Sequence, residues 1–238
     1  MIKKFKKHLL YFLRVPIINR FIFTIRFFYF VRLRNRLIAY QDTSSTYSPD
    51  YSKMMLIKGK TSDRPLYLIR PLTSIPGIES SRVLSVGSRY ETELFYLVGY
   101  GFDPERIRGL DLFSYSNWVD SANMHCMPYK DNSFDVILLG WIVSYSSTPL
   151  KLANEVIRVI SNRGIVAIGV SYYSESFLKN SAAKGQPMIG GGDWATRLQT
   201  TDAIIALFAQ WVDKIYFRYD PPNDVDHSRC VVIFSVKK

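Results

Sequence analysis

The stretch Val83-Leu84-Ser85-Val86-Gly87-Ser88-Arg89-Tyr90-Glu91 decides the fold. Its first four residues form a short apolar run that reads as a buried strand, and Gly87 closes it. From Glu91 to Tyr100 apolar residues recur at helical spacing, and Gly101 supplies a stop signal. A strand, a glycine turn and a helix open a βαβ unit, and the chain repeats the pattern downstream. Arg106 to Leu112 reads as a second strand ending in the acid Asp111, and a short third strand is expected near Ala122 to Met124. Phe134 to Gly140 (FDVILLG) is a continuous apolar run of the buried, parallel-strand kind.

Thr148 to Ile160 is an amphipathic helix, with Thr148 as N-cap, Pro149 at the first helical position and Asn162-Arg163-Gly164 as the exit. Ile165 to Val170 is the next buried strand. Thr201 to Gln210 reads as a helix, and Lys214 to Tyr219 and Cys230 to Val236 read as two strands joined by a polar segment. The expected fold is α/β: a Rossmann-like, doubly wound, mostly parallel sheet with a C-terminal antiparallel strand pair. A (β/α)₈ barrel needs more length. Residues 42–60 read as a linker. Residues 61–80, with Pro65, Pro71 and Pro76, read as an irregular lead-in in which Leu66 to Ile69 adds a short strand. The expected division is therefore a helical arm at 1–41, a linker and lead-in at 42–80, and the α/β domain at 81–238.

Charge separates the arm from the body. The net charge is +11, yet residues 1–41 hold ten Lys or Arg and no acid. The rest holds 21 basic and 20 acidic side chains, which leaves the body close to neutral and weakens a nucleic-acid reading that would use it. Cys126 and Cys230 make neither a disulfide framework nor a metal cluster with the three histidines, a usage that fits a reducing, cytoplasmic setting.

The arm does not read as a transmembrane span, because a Lys or Arg interrupts it every few residues from Arg14 to Arg32. Residues 2–13 place Ile2, Phe5, Leu9, Phe12 and Leu13 on one helical face and Lys3, Lys4, Lys7 and Arg14 largely on the other. That pattern suits the headgroup boundary of an anionic bilayer at the inner face of a membrane. In Ile17 to Ala39 the arginines point all around the wheel. This part either lies in an interface with its arginines reaching outward, or packs on a partner or on the body.

In an open α/β sheet, ligands bind outside the carboxyl ends of the strands near the point where strand order reverses. Gly87-Ser88-Arg89 ends the first strand, Asp111 ends the second, and Asn123-Met124-His125 follows the third. A carboxylate at Asp111 can accept hydrogen bonds from two ribose hydroxyls, and the small and apolar side chains after the third strand can flank a flat purine. Trp141 and Tyr145 lie beyond the fourth strand, where they either close the sheet edge or contact a second ligand.

The succession VLSVGSRYETE, RGLDLFS, ANMHCMPYKDNSFDVILLGWIV and NRGIVAIG, from Val83 to Gly169, resembles the class I S-adenosylmethionine-dependent methyltransferase family of the small-molecule type. The resemblance implies S-adenosyl-L-methionine as cofactor. Gly87 and Ser88 would approach its methionine part, with Arg89 completing that loop. Asp111 would take the ribose, and Leu112 would lie against the adenine. Met124 and His125 would border the adenine, Asn123 would bond its amino group, and Trp141 would face the methyl group and acceptor. Of the family's usual G-x-G-x-G only Gly87 is kept, the acid that often precedes that loop is Ser85, and the family's adenine-contacting Asp is Asn123. The D/N-P-P-Y/F motif of amino-group DNA methyltransferases is absent, the position reading Leu139-Gly140-Trp141-Ile142.

The implied function is methyl transfer to a small-molecule, glycan or lipid-linked acceptor at a membrane surface. Two alternatives stand beside it: a non-catalytic binding or assembly protein that keeps the fold, and an RNA methyltransferase that uses the basic arm. No residue is marked as a catalytic base and no metal is implied. Methyl transfer from a sulfonium depends mainly on alignment.

Overall fold

The computed structural model describes residues 10–40, 61–183, 197–222 and 224–238. The expected interfacial helix at 2–13, the linker at 42–60 and the glycine run at Gly190-Gly191-Gly192 lie wholly or mostly outside them. The body is built on β2 (Val83–Val86), α3 (Thr92–Gly99), β3 (Ile107–Asp111), β5 (Val119–Ser121), β6 (Phe134–Gly140), α4 (Pro149–Val159), β7 (Ile160–Tyr173), α5 (Glu175–Ala183), α6 (Thr201–Ala206), β8 (Val212–Tyr219) and β9 (His227–Val236). Before it come α1 (Pro16–Phe27), the two-residue β1 (Ile38–Ala39) and α2 (Leu66–Leu72), while β4 (Phe113–Ser114) lies between β3 and β5.

Seven strands form one sheet in the order β5-β3-β2-β6-β7-β9-β8. The pairs β5–β3, β3–β2, β2–β6 and β6–β7 are parallel, whereas β9 runs antiparallel to both β7 and β8. The doubly wound sheet with its C-terminal antiparallel strand pair is as expected. Strand order reverses between β2 and β6, so their carboxyl ends open the crevice where such folds take ligands.

Several local readings change. Leu66 to Ile69 is helical, because Leu66, Leu68, Ile69 and Leu72 bury one face of α2 against the sheet; a short apolar run does not by itself distinguish helix from strand. The third strand is Val119–Ser121, just before the expected Ala122 to Met124. The exit Asn162-Arg163-Gly164 is absorbed into β7, whose register against β6 jumps from Phe134↔Ile160 to Val136↔Ile165, with Arg163 at φ +63°. Thr148 makes no side-chain cap bond, although Pro149 does open α4. The helix from Thr201 ends at Ala206, short of Gln210.

The two connections on the β5 side of the sheet carry no helix. Residues 112–118 link β3 to β5 and residues 122–133 link β5 to β6, whereas parallel neighbours usually cross over through a helix. The arm covers the gap. Leu13, Phe23 and Phe27 are buried in the same cluster as Val83, Phe95, Tyr115 and Val119, and burial of each ring is worth about 1.5–3 kcal/mol. Phe27 meets Tyr115 edge-on at 5.4 Å. The fully buried Asn19 donates through Nδ2 to the carbonyls of Leu13 and Thr92. β1 pairs antiparallel with β4, and the Tyr40 N–H donates to the Leu112 carbonyl. Of the two alternatives for Ile17 to Ala39, packing on the body holds for one face of α1. Its opposite face stays open: Ile17, Phe21, Ile25 and Phe28 are each more than half exposed. Contacts thus cross the expected boundary between the arm and the α/β domain.

Candidate active site

A cavity of about 490 Å³ opens at the carboxyl ends of β2, β3 and β6. Gly87, Ser88, Arg89, Asp111, Leu112, Asn123, Met124, His125, Trp141 and Tyr145 all line it, so residues scattered over almost sixty positions of sequence meet in one place. The volume lies in the range of small-molecule and cofactor sites.

The loop after β2 is shaped by Gly87, which adopts φ +81°. A Cβ there would lie 3.0 Å from the Ile142 side chain, so the backbone and the wall beyond β6 already touch. Ser88 is buried and donates from its hydroxyl to the Ser85 carbonyl. Glu91 ends the loop with its side chain wholly out of solvent, yet it is fully paired. Arg26 of α1 forms a two-pronged pair with it at 2.8 and 2.7 Å, and the Ser116 hydroxyl also donates to it. An arm residue therefore fixes the end of the loop that begins at Gly87.

Asp111 ends β3 and accepts from the Phe113 N–H. Burial pushes its carboxyl pKa above the ordinary range, and the nearby Arg89 guanidinium opposes that shift. The carboxylate therefore sits in the cavity wall beside a cation that favours its charged form.

Asn123 and His125 lock onto each other. Asn123 Oδ1 accepts from the His125 N–H at 2.8 Å and lies 2.9 Å from Nδ1, while His125 Nε2 lies 2.6 Å from the Ser146 hydroxyl. With both ring nitrogens engaged, His125 is placed as a wall residue. Asn123 Oδ1 is thus engaged with His125 in this arrangement.

Trp141 has φ +58°, a backbone state that non-glycine residues rarely adopt and that gathers at functional sites. It is held there by its N–H, which donates to the Gly169 carbonyl at 2.7 Å, and by its ring, which lies against Gly169 closely enough that a Cβ would meet it at 3.2 Å.

One residue escaped the sequence reading. Glu93, in the first turn of α3, is buried at the cavity floor and accepts from the Ser85 hydroxyl at 2.6 Å. Burial pushes its pKa up to about 7. An acid of the neighbouring helix thus lies beside position 85, with Ser85 as its donor. The signal was a serine inside an apolar strand, since a buried hydroxyl needs a partner.

Among the described residues no three His, Cys, Asp or Glu side chains gather to hold a metal ion, and no helix is long and apolar enough to cross a membrane.

Residues 93–168 match the family model described as a methyltransferase domain. No curated protein sequence matches the chain. Among solved structures, a putative S-adenosyl-L-methionine-dependent methyltransferase from Methanococcus maripaludis is 14% identical, with a TM-score of 0.52 over 84% of this chain and 98% of that one. The N-methyltransferase NodS from Bradyrhizobium japonicum, solved with S-adenosyl-L-homocysteine, is 12% identical, with a TM-score of 0.52 over 79% of this chain and 99% of that one. The MccD protein is 14% identical, with a TM-score of 0.52 over 73% and 96%. At these identities the structures speak for the fold, and the family model speaks for the segment from α3 to β7 that carries Asp111, Asn123 and Trp141. Residues 93–168 are thus similar to a methyltransferase domain, set in a fold that these solved structures share.

Proposed function

We propose that the cavity holds S-adenosylmethionine and an acceptor side by side, and that the chain transfers the methyl group to a small-molecule, glycan or lipid-linked acceptor at a membrane surface. The observation that carries the cofactor half is the convergence of Gly87, Asp111 and Trp141 on one cavity at the β2/β6 crevice.

In this reading the Asp111 carboxylate receives the ribose hydroxyls. The loop at Gly87 and Ser88 passes close to the methionine part, and Glu93 lies beneath it. Leu112 and Met124 flank the adenine, and His125 braces that wall through Asn123 and Ser146. The bound cofactor supplies a methyl group on a positively charged sulfur. Trp141, fixed on Gly169, and Tyr145 border the acceptor side, exclude water and hold the acceptor atom in line with the methyl group.

Asp111→Ala should weaken S-adenosylhomocysteine roughly 100-fold in calorimetry, the equivalent of two hydrogen bonds to a charged group. Wild-type affinity should fall on acidification at a higher pH than an ordinary aspartate would dictate, because the Asp111 pKa is raised and the protonated carboxyl loses acceptor capacity. Affinity unchanged in Asp111→Ala, or no binding by the wild type, would defeat the cofactor assignment.

The membrane half rests on the outward face of α1. Ile17, Phe21, Ile25 and Phe28 follow one another at helical spacing, flanked by the exposed Arg14, Arg32 and Arg34. Because the inward face is part of the core, this reading is tested by point changes and not by removing the arm. Phe21→Glu with Ile25→Glu should cut co-sedimentation with phosphatidylglycerol vesicles by about 10-fold or more, at unchanged far-UV circular dichroism. Undiminished sedimentation of that variant would rule out this docking face. Retention of RNA in place of vesicles would favour the RNA alternative.

A further inference from the structure

The charges around the cavity do not balance, and the surplus is positive. Three cations line it, Arg64, Arg89 and Lys151, against two acids, Asp111 and Glu93. Arg89 faces Asp111. Glu93 is buried on Ser85. Arg64 and Lys151 have no carboxylate partner among the described residues. Asp63, next to Arg64 in sequence, is turned away, paired with Arg20 and bonded by the Tyr96 hydroxyl.

One of these two cations stands at the Trp141 end. The Arg64 guanidinium stands over the Trp141 ring at 5.7 Å. Lys151 lies in the first turn of α4, a helix of eleven residues whose N-terminus adds partial positive charge. Just beyond the rim, the Arg229 guanidinium covers the face of Tyr67 at 3.5 Å, and the Tyr67 and Trp141 rings are 6.5 Å apart. Arg229 also has no ion-pair partner among the described residues. Stacking on aromatic rings orients an arginine without using up its donors, so the N–H groups remain available for an anion.

A sulfonium cofactor with a free amino group and a carboxylate brings a net positive charge into the same cavity. Two exposed cations in the same lining, with no carboxylate partner among the described residues, favour an anionic second ligand over a cationic one. We infer that the acceptor carries a phosphate-type group, held by Arg64 at the Trp141 end and by Lys151 of the same cavity lining, with Arg229 in reach of a second phosphate. This deepens the methyl-transfer reading and rests on it for what the cavity does. The recognising chemistry is shared by a soluble phosphate ester and a lipid-carried phosphate.

The test is calorimetric titration of inorganic pyrophosphate into the full chain, with and without saturating S-adenosylhomocysteine. Binding should weaken by roughly 10-fold in each of Arg64→Gln and Lys151→Gln, about one charge-assisted hydrogen bond apiece, and stay unchanged in Arg163→Gln, which removes an equal charge near the start of β7, outside the cavity lining. Glucose 1-phosphate and phosphatidic acid in phosphatidylcholine nanodiscs then serve as competitors. Displacement by the first marks a soluble ester and by the second a lipid-carried phosphate, and both support the site. No pyrophosphate binding at millimolar concentration overturns it, as does binding indifferent to both substitutions. A chain that binds pyrophosphate as expected but not S-adenosylhomocysteine keeps the anion site and loses the cofactor reading.

Discussion

Gly99→Ala is expected to destabilise the full chain by about 2–3 kcal/mol in urea denaturation, against the direction that helix propensity alone would give. Gly99 ends α3, and the arm crosses directly over it. A Cβ there would lie 2.3 Å from the Arg14 nitrogen, 2.7 Å from the Leu13 carbonyl carbon and 2.9 Å from the Arg14 Cα. All three are backbone atoms, so no rotamer change relieves the clash. The arm must lift, which uncovers Leu13, Phe23 and Phe27 and draws Arg26 away from the buried Glu91. An uncompensated buried carboxylate adds to the cost. In a free helix the same change would stabilise by up to about 1 kcal/mol, so the sign of the effect decides the matter. A more stable Gly99→Ala chain would show that the arm does not dock on α3.

Glu93→Gln is expected to act in the opposite direction, and in a pH-dependent way. The Glu93 pKa is about 7 in the folded chain against an ordinary value of 4.5. Between those values the folded state keeps a proton that the unfolded state releases, so the wild type loses stability as pH rises through this window. Above it the penalty is complete, roughly 3 kcal/mol from a shift of that size. Gln retains a carbonyl to accept from the Ser85 hydroxyl and carries no charge to desolvate. The variant should therefore match the wild type near pH 4 and exceed it by up to about 3 kcal/mol at pH 8. A pH-independent difference would place the Glu93 carboxyl in contact with water or an unseen cation. A buried carboxylate that costs stability at neutral pH, set in the floor of a ligand cavity, fits a group kept for binding.

The strands that build the cavity were legible because their signal is local. Val83–Val86 and Phe134–Gly140 are unbroken apolar runs that suit only strands covered on both faces, and the fold fixes the carboxyl ends of such strands as the ligand side. Asp111 could be singled out for the same reason. Leu66 to Ile69 could not be assigned, since four apolar residues satisfy a helix and a strand equally until a neighbouring surface chooses between them. The arm was ambiguous in a different way. Its arginines surround the helix, and only contacts with Glu91 and Asp63 show which of them are structural.

A signal for the docked arm was nonetheless present. The short connections from β3 to β5 and from β5 to β6 leave no room for a covering helix, and a sheet face left open must be covered by something from elsewhere in the chain.

The sequence by itself determined the alternation of strands and helices, the order of elements that makes a methyltransferase-like sheet, and the identity of most side chains around the cavity. These follow from hydrophobic period and turn chemistry, which act over a few residues. Tertiary structure alone decided that α1 completes the core, that Glu93 bonds to Ser85 at the cavity, and that Arg64 and Lys151 line it with no carboxylate partner among the described residues. Each depends on groups distant in the chain being brought within a few ångströms, where burial and pairing, and not residue type, set what a charge can do.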